Sequence, residues 1–412
     1  MTPMTETRSD LNGFLPGQRL TGWLLATIVL LAAQTGLAAE VTPSARVESF
    51  VSVRSAPQNG ELLATLPVGQ TAELLATLPA HYQVRLADGT TGFVLRSYTS
   101  VIETPGAASV RAGELALHFI DVGQGDATLL VCPDNRTILV DAGSSSNLDA
   151  NTVRDYLTEV LGPDNYQLDT LVITHADPEH FNLLPELLRG FSVGHVYHVA
   201  GANDYNSPPF SSWLGSLGPS TVTNLMETQG TGATTQLPQL NCGAARVQVL
   251  SAGLRNRENW RDARSIVLRV EYGDFSALLA ADATASTETA IMERLGSAAL
   301  ASSVLKLAGH GDSRFGNSAA WLAAVQPRMA VISTAGEGAL DDTLLGLLEN
   351  SVERPDDNFH PLTIKRMRDG QARLHTEANY SGMVFSTADS GTIVVTSGGQ
   401  GFALKLQPAA YR

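Results

Sequence analysis

The stretch 168–180, Leu-Asp-Thr-Leu-Val-Ile-Thr-His-Ala-Asp-Pro-Glu-His, decides how this chain is read. Leu171-Val-Ile173 is a short apolar run of the kind that forms a buried strand. Directly after it, Thr174-His-Ala-Asp-Pro-Glu-His180 places His175, Asp177, Glu179 and His180 within six positions. Imidazole and carboxylate both suit Zn²⁺ or Mn²⁺. A tight turn at a strand end lets neighbouring side chains converge, which a single helix face does not allow for adjacent residues. A plain helix start explains part of the motif: Asp177 as N-cap, Pro178 in the first helical position, Glu179 at the positive end. It does not explain the two histidines that flank the acids, so the spacing favours a metal site.

Outward from this motif, strand and helix patterns alternate. Strands are expected over 115–120, 127–132 and 137–140, and again at 195–199, 247–250, 266–271, 276–281, 304–307 and 329–333. Val153, Tyr156, Leu157, Val160 and Leu161 fall on one helical face closed by Gly162-Pro163. Further helices are expected over 181–189, 286–295 and 318–325. Residues 200–245 and 351–382 read as irregular, and 383–406 return to short strands. Such a mixture of hairpins and strand-helix units predicts an α/β (α+β) sandwich, with sheets covered by helices.

The N-terminal part is different. Arg8 and Arg19 precede the uncharged run 20–39, which ends in Gly36-Leu-Ala-Ala39. This reads as a secretory signal peptide or an uncleaved membrane anchor over 1–39. Either places the remainder outside the cytoplasm: periplasmic, secreted or anchored, with membrane contact only through this segment. Residues 41–103 carry short strand patterns, turn clusters and two copies of Leu-Leu-Ala-Thr-Leu-Pro, at 62–67 and 74–79. They predict a small all-β barrel. The order VSVRSAP, LATLPVGQ, HYQVRLADGTTGFV resembles bacterial SH3-like domains. The resemblance implies a binding module for a cell-wall or peptide ligand; a spacer without ligand is the alternative. Residues 104–113 form a linker and 114–406 the large domain.

The chain has 412 residues, 41 acidic and 27 basic side chains and a net charge of −14. An acidic surface repels phosphate backbones and argues against general nucleic-acid binding. Cys132 and Cys242 lie outside any CxxC motif and either pair in an oxidising compartment or remain buried thiols.

The segments HFIDVGQGDATLLVCPDNRTILVDAGSS, LDTLVITHADPEHFNLLPELL, SIVLRVEYGDFSALLAADA and VLKLAGHGDSRFGNSAAWLAAVQPRMAVIS occur in that order. Together they resemble the metallo-β-lactamase-fold domain of ComEC-like proteins, over roughly 115–335, with GTIVVTS extending the likeness towards 400. The resemblance implies the αββα fold and a hydrolase that activates water on one or two ions, Zn or Mn, against phosphodiester or other ester-like bonds. By position, His175 and Asp177 would bind a first metal and Glu179 and His180 a second. Asp282 would bridge them, and His310 would be a late ligand. Asp141 would orient a ligand histidine, while Asp126 and Gln124 would line the pocket. His175 and Asp177 are the expected catalytic pair, with Asp177 the general base if one ion is present. Taken singly, Asp282, His310, Asp141 and Asp126 read as ordinary turn or loop residues.

The sequence departs from the family at several points. Glu179 replaces the usual Asp, Asn182-Leu183 a pair of glycines, Ala281-Asp282 a Gly-Asp, and Gly309-His310-Gly311-Asp312 the His-His-Gly-Ser motif. No histidine stands near Val249-Leu-Ser251; His195 and His198 lie in a strand pattern. The expectation is therefore an exported metallo-hydrolase, with a non-catalytic binding or scaffold protein carrying a degenerate metal site as the alternative.

Overall fold

The computed structural model describes residues 40–407, except 45–46, 48, 58–59, 78–80, 103–112, 163–164, 202–203, 229–236, 255–260, 315, 336–339, 356–358 and 369–370. The expected leader (1–39) and nearly all of the expected linker (104–113) lie outside the described residues. The chain divides into two compact units at Thr104/Pro105.

The first unit is all-β. Its antiparallel sheet runs, in spatial order, Leu62–Pro67, Phe50–Arg54, Thr91–Leu95, His81–Arg85, Ala72–Thr77, Glu40–Pro43 and Thr99–Ile102. Alternating Val51, Val53, Leu66, Val84 and Val94 point to one buried side, as a half-buried strand requires. The turn at Asp88 is held by its carboxylate, which accepts from Thr90 N at 2.8 Å. A cleft of about 720 Å³ on this unit is lined by Phe50, Phe93, Tyr98, His81, Arg54 and Pro57, among others.

The second unit is a four-layer α/β sandwich. One eight-stranded sheet has the order Val222–Asn224, Ser192–His198, Gln167–Ile173, Thr137–Val140, Thr128–Val131, Leu115–Phe119, Thr392–Ser397, Ala403–Gln407. The other, seven-stranded, runs Gln239–Cys242, Ala245–Ser251, Val267–Tyr272, Phe275–Leu279, Val304–Lys306, Met329–Ile332, Val384–Ser386. Leu117, Phe119 and Leu130 of the first sheet share one core with Val247, Leu268, Leu278 and Leu305 of the second. Leu129, Leu139 and Leu171, on the outer face of the first sheet, pack against helix Ala150–Leu161 through Val153 and Leu157. Trp321 and Leu322 of helix Ala319–Val325 bury the far side of the second sheet. Cys132 and Cys242, with Cα atoms 5.1 Å apart, form a disulfide between the sheets. Among the described residues, no helix is long and apolar enough to cross a membrane.

Several expectations need correction. The expected helix 181–189 is two short helices, Pro178–Phe181 and Leu184–Leu187, because the intervening residues turn back onto the Asp141 loop. Residues 200–245 contain helix Pro208–Ser216 and strands Val222–Asn224 and Gln239–Cys242. The segment 351–382 contains a long hairpin, His360–Arg368 with Gln371–Tyr380. Residues 371–379 are exposed throughout, so no alternation of apolar side chains marks the strand.

Candidate metal centre

Two pairs of adjacent parallel strands deliver the site. Thr137–Val140 lies parallel to Gln167–Ile173, so Asp141 and His175 leave the carboxyl ends of neighbouring strands. In the opposite sheet Phe275–Leu279 lies parallel to Val304–Lys306, with Leu279 opposite Lys306; Asp282 and His310 follow these strand ends. The two ends are tied together where Ile266 N donates to Thr174 O at 3.0 Å.

Close backbone packing holds the His175–His180 turn. A Cβ on Gly143 would lie 2.3 Å from the Glu179 carbonyl carbon, so the Asp141-Ala-Gly143 turn needs glycine there to approach. Asp126 N donates to Glu179 O, and Ala142 N to His180 O. Asn182 clamps the same loop. Its Oδ1 accepts from Ser144 N at 2.9 Å and its Nδ2 donates to Ser144 O at 2.7 Å.

Asp141 is the pivot. Its Oδ1 accepts from Thr174 N at 2.8 Å; its Oδ2 accepts from Thr174 Oγ1 at 2.7 Å and lies 2.9 Å from His180 Nδ1. With Thr174 Oγ1 donating to Asp141, the His175 Nδ1 at 3.1 Å from that oxygen is the donor. His310 Nδ1 donates to Ser333 O at 2.9 Å. All three imidazoles therefore engage an outer partner through Nδ1 and turn Nε2 inward, the arrangement that outer partners impose on metal-binding histidines. His310 reaches this position with φ of 54°, between Gly309 and Gly311, both also at positive φ. Ala281 likewise sits at φ 50°.

The three Nε2 atoms converge on one carboxylate. Asp282 Oδ2 lies 3.5 Å from His180 Nε2, 3.6 Å from His310 Nε2 and 3.9 Å from His175 Nε2. These nitrogens, Asp282 Oδ1 and Asp126 Oδ1 are buried without a hydrogen-bond partner. A tetrahedral ion with bonds of about 2.1 Å would set its ligand atoms about 3.4 Å apart, so the donor set fits.

The donors fall into clusters that share residues. His175, His180 and Asp282 form one; Asp126, Asp282 and His310 form another, adjoining it. Asp177 joins His175 and Asp262 at the rim, where its Oδ1 also pairs with Arg261 Nη1 at 2.9 Å. His180 thus sorts with His175 through Nε2, while its Nδ1 side meets Asp141 and Asp126, which form a further cluster with it. Glu179, expected beside His180, belongs to none of the clusters; it is the carbonyl of Glu179 that contributes here, as the acceptor for Asp126 N. His195 and His198 are not among the clusters either; they bond to Thr223 Oγ1 and Tyr205 Oη. Gln124 Oε1 accepts from Thr334 Oγ1 and Ala335 N, tying two rim loops together.

The donors act strongly on one another. Burial opposes charge on His180, yet Asp282 and Asp141 outweigh it and hold its pKa well above the ordinary value. His175, with burial and His180 acting together, is held well below. Burial would raise the Asp282 carboxyl, but His310 and His180 beside it hold it well below the usual range. Burial raises Asp141 and Asp177. Lys306, 3% exposed, places Nζ 2.6 Å from Asp126 Oδ2. It is not among the residues expected from the sequence, although a lysine inside the apolar run Val304-Leu-Lys-Leu307 is itself a signal of a buried partner. Arg261 and Asp262 gave no comparable signal.

Residues 120–234 match the family model for the metallo-beta-lactamase superfamily. No curated protein matches the chain. Among solved structures, CmlA, described as a diiron beta-hydroxylase from Streptomyces venezuelae, is similar at 18% identity and a TM-score of 0.34. That match covers 64% of this chain and 50% of CmlA, so the chain spans about half of that protein. Human tRNase Z, short form, matches at 14% identity and TM-score 0.31, over 53% of this chain and 92% of that one. Zn²⁺-bound PqqB from Methylobacterium extorquens matches at 12% and 0.35, over 61% and 87%. The chain thus carries a metallo-beta-lactamase superfamily domain, matched over residues 120–234.

Proposed function

We propose that this chain is an exported, metal-dependent hydrolase of the ComEC-like type, acting on phosphodiester or other ester-like bonds. One observation carries the reading: two buried imidazoles and a half-buried carboxylate, His175, His180 and Asp282, turn donor atoms into one space with no protein partner for the Nε2 atoms. Buried polar groups are rarely left so. Three protein ligands with room for a water is the pattern of catalytic sites, and two imidazoles with a carboxylate suit zinc, with manganese the alternative. When bound, the ion would supply hydroxide near neutral pH. His175, His180 and Asp282 would hold it. Asp177, partly exposed at the rim with Oδ2 3.8 Å from His175 Nε2, is placed to take up a proton.

The disulfide supports export, since such bonds persist in oxidising compartments. So does the leader-like pattern of 1–39. The aromatic cleft of the first unit supports a cell-wall or peptide ligand for an SH3-like module. The second reading, a binding or scaffold protein with a degenerate site, is favoured by the placement of Glu179 outside the donor clusters.

Metal analysis of purified protein, joined to hydrolysis of bis(p-nitrophenyl) phosphate, tests the proposal. About one zinc or manganese per chain, lost in His175→Ala/His180→Ala together with turnover, supports it. Bound metal without turnover of any ester probe points to the second reading. Absence of metal after growth with supplement removes the hydrolase reading.

A further inference from the structure

The second donor cluster differs from the first in one respect: it already faces a cation of the chain's own. Asp126, Asp282 and His310 bring ligand atoms within 4.8 Å of one another. Because Asp282 is common to both clusters, a second ion held here would lie beside the first, at the short spacing of about 3.5–4 Å found for paired ions. Yet Asp126 Oδ2 is in contact with Lys306 Nζ at 2.6 Å, and both side chains are 3% exposed.

We propose that the chain holds a single divalent ion and that Lys306 supplies the second positive charge of the centre, taking the place of a second metal. The inference rests on the metal-site reading above and deepens it. Lys306 is fixed in this role by its backbone, because it ends the strand Val304–Lys306, whose residues pair with Ala277–Leu279 on one side and Met329–Val331 on the other. Its carbonyl accepts from Ala280 N. The side chain therefore points into the space between the sheets, beside a void of about 10 Å³ lined by Asp126, Asp141, Thr174 and Lys306. That void holds at most about one water.

The ion pair closes the second position. Like charge repels strongly in a low-dielectric interior, so a divalent ion on Asp126 would sit against the Lys306 ammonium. Glu179 is in none of the donor clusters and offers no carboxylate there in place of Asp126.

The test is a metal count with a spectroscopic readout. Full-length protein is loaded with a several-fold excess of Mn²⁺, desalted, and examined by elemental analysis and electron paramagnetic resonance. We expect one ion per chain with the six-line signal of isolated Mn²⁺. Lys306→Met, similar in length but uncharged, frees Asp126 and should take up two ions with an exchange-coupled signal. A merely structural lysine would not produce that gain. The double variant Asp126→Asn/Lys306→Met keeps the pair neutral and should return to one ion. Two coupled ions in the wild-type protein overturn the proposal, as does a folded Lys306→Met that stays at one. If that variant does not fold, the wild-type count decides. No ion at all would instead defeat the metal-site reading itself.

Discussion

Replacing Asp141 by Asn should disable the metal centre without touching a ligand. The structure gives the reason atom by atom. Asp141 Oδ1 accepts from Thr174 N, while Oδ2 meets both Thr174 Oγ1 and His180 Nδ1. In the Asp141→Asn variant the side-chain carbonyl oxygen keeps the Thr174 amide, which places the NH₂ against His180. A donor there obliges His180 Nδ1 to accept, so the imidazole proton moves to Nε2, the atom aimed at Asp282. The lone pair that would bind an ion is then consumed. Outer partners of metal-binding histidines are worth about 10–100-fold in affinity, or about 1.4–2.8 kcal/mol, and a reversed tautomer places this case at the upper end. The assay is competition for Zn²⁺ or Mn²⁺ against a chromophoric chelator at about pH 7.5, with circular dichroism to establish that the variant is folded. The same chain of bonds predicts that Thr174→Val weakens binding less: it removes the hydroxyl bonds to Asp141 and His175, but Asp141 keeps its bonds to Thr174 N and His180. A folded Asp141→Asn protein that binds metal within about threefold of wild type would refute the reasoning.

Other consequences follow from the same structure. His118 is 2% exposed and burial pushes its pKa down to about 4 from 6.5. The folded state binds fewer protons than the unfolded one between those values. Stability is therefore complete above about pH 6.5 and falls as the pH drops towards 4, by about 3 kcal/mol at about 1.4 kcal/mol per unit. Urea titrations at about pH 7 and pH 4.5 should show this loss shrinking in His118→Gln; an equal loss in both proteins excludes the role. Reduction of the Cys132–Cys242 bond, which closes a loop of 110 residues, should cost about 4–5 kcal/mol on the chain-entropy account. Cys132→Ser/Cys242→Ser should show the same drop by denaturant unfolding, and two reactive thiols in the denatured, unreduced wild-type protein would contradict the pairing. Buried Glu288 accepts from Asn317 N and Ser318 N, and Asn317 in turn holds Ala308 at both its N–H and its carbonyl, just before His310. Glu288→Gln sets an amide donor against a backbone donor and should cost about 1–3 kcal/mol, read as a lowered Tm; an unchanged Tm would show that the loop does not depend on it.

Much of this molecule is legible in one dimension. The apolar run 171–173, the His/Asp-rich turn behind it and the alternation of strand and helix patterns fix the α/β class, because periodicity and turn chemistry are local properties. The two histidines of the turn are legible for the same reason. The polar strand Gln371–Tyr380 is not, since neither face is buried and no apolar period results. The short helix Pro208–Ser216 is likewise hidden in a Ser- and Pro-rich stretch.

What only the tertiary structure decides is which groups share a space. Local sequence could not pair Cys132 with Cys242, separate Glu179 from His180, or set Lys306 against Asp126 across 180 positions. Those outcomes depend on the strand register that aligns Leu279 with Lys306 and on the packing of two sheets that brings their carboxyl ends together. A motif states which donor atoms the chain possesses; the distances at which they meet are set by elements far away in sequence, because contact between sheets is a property of the packed core.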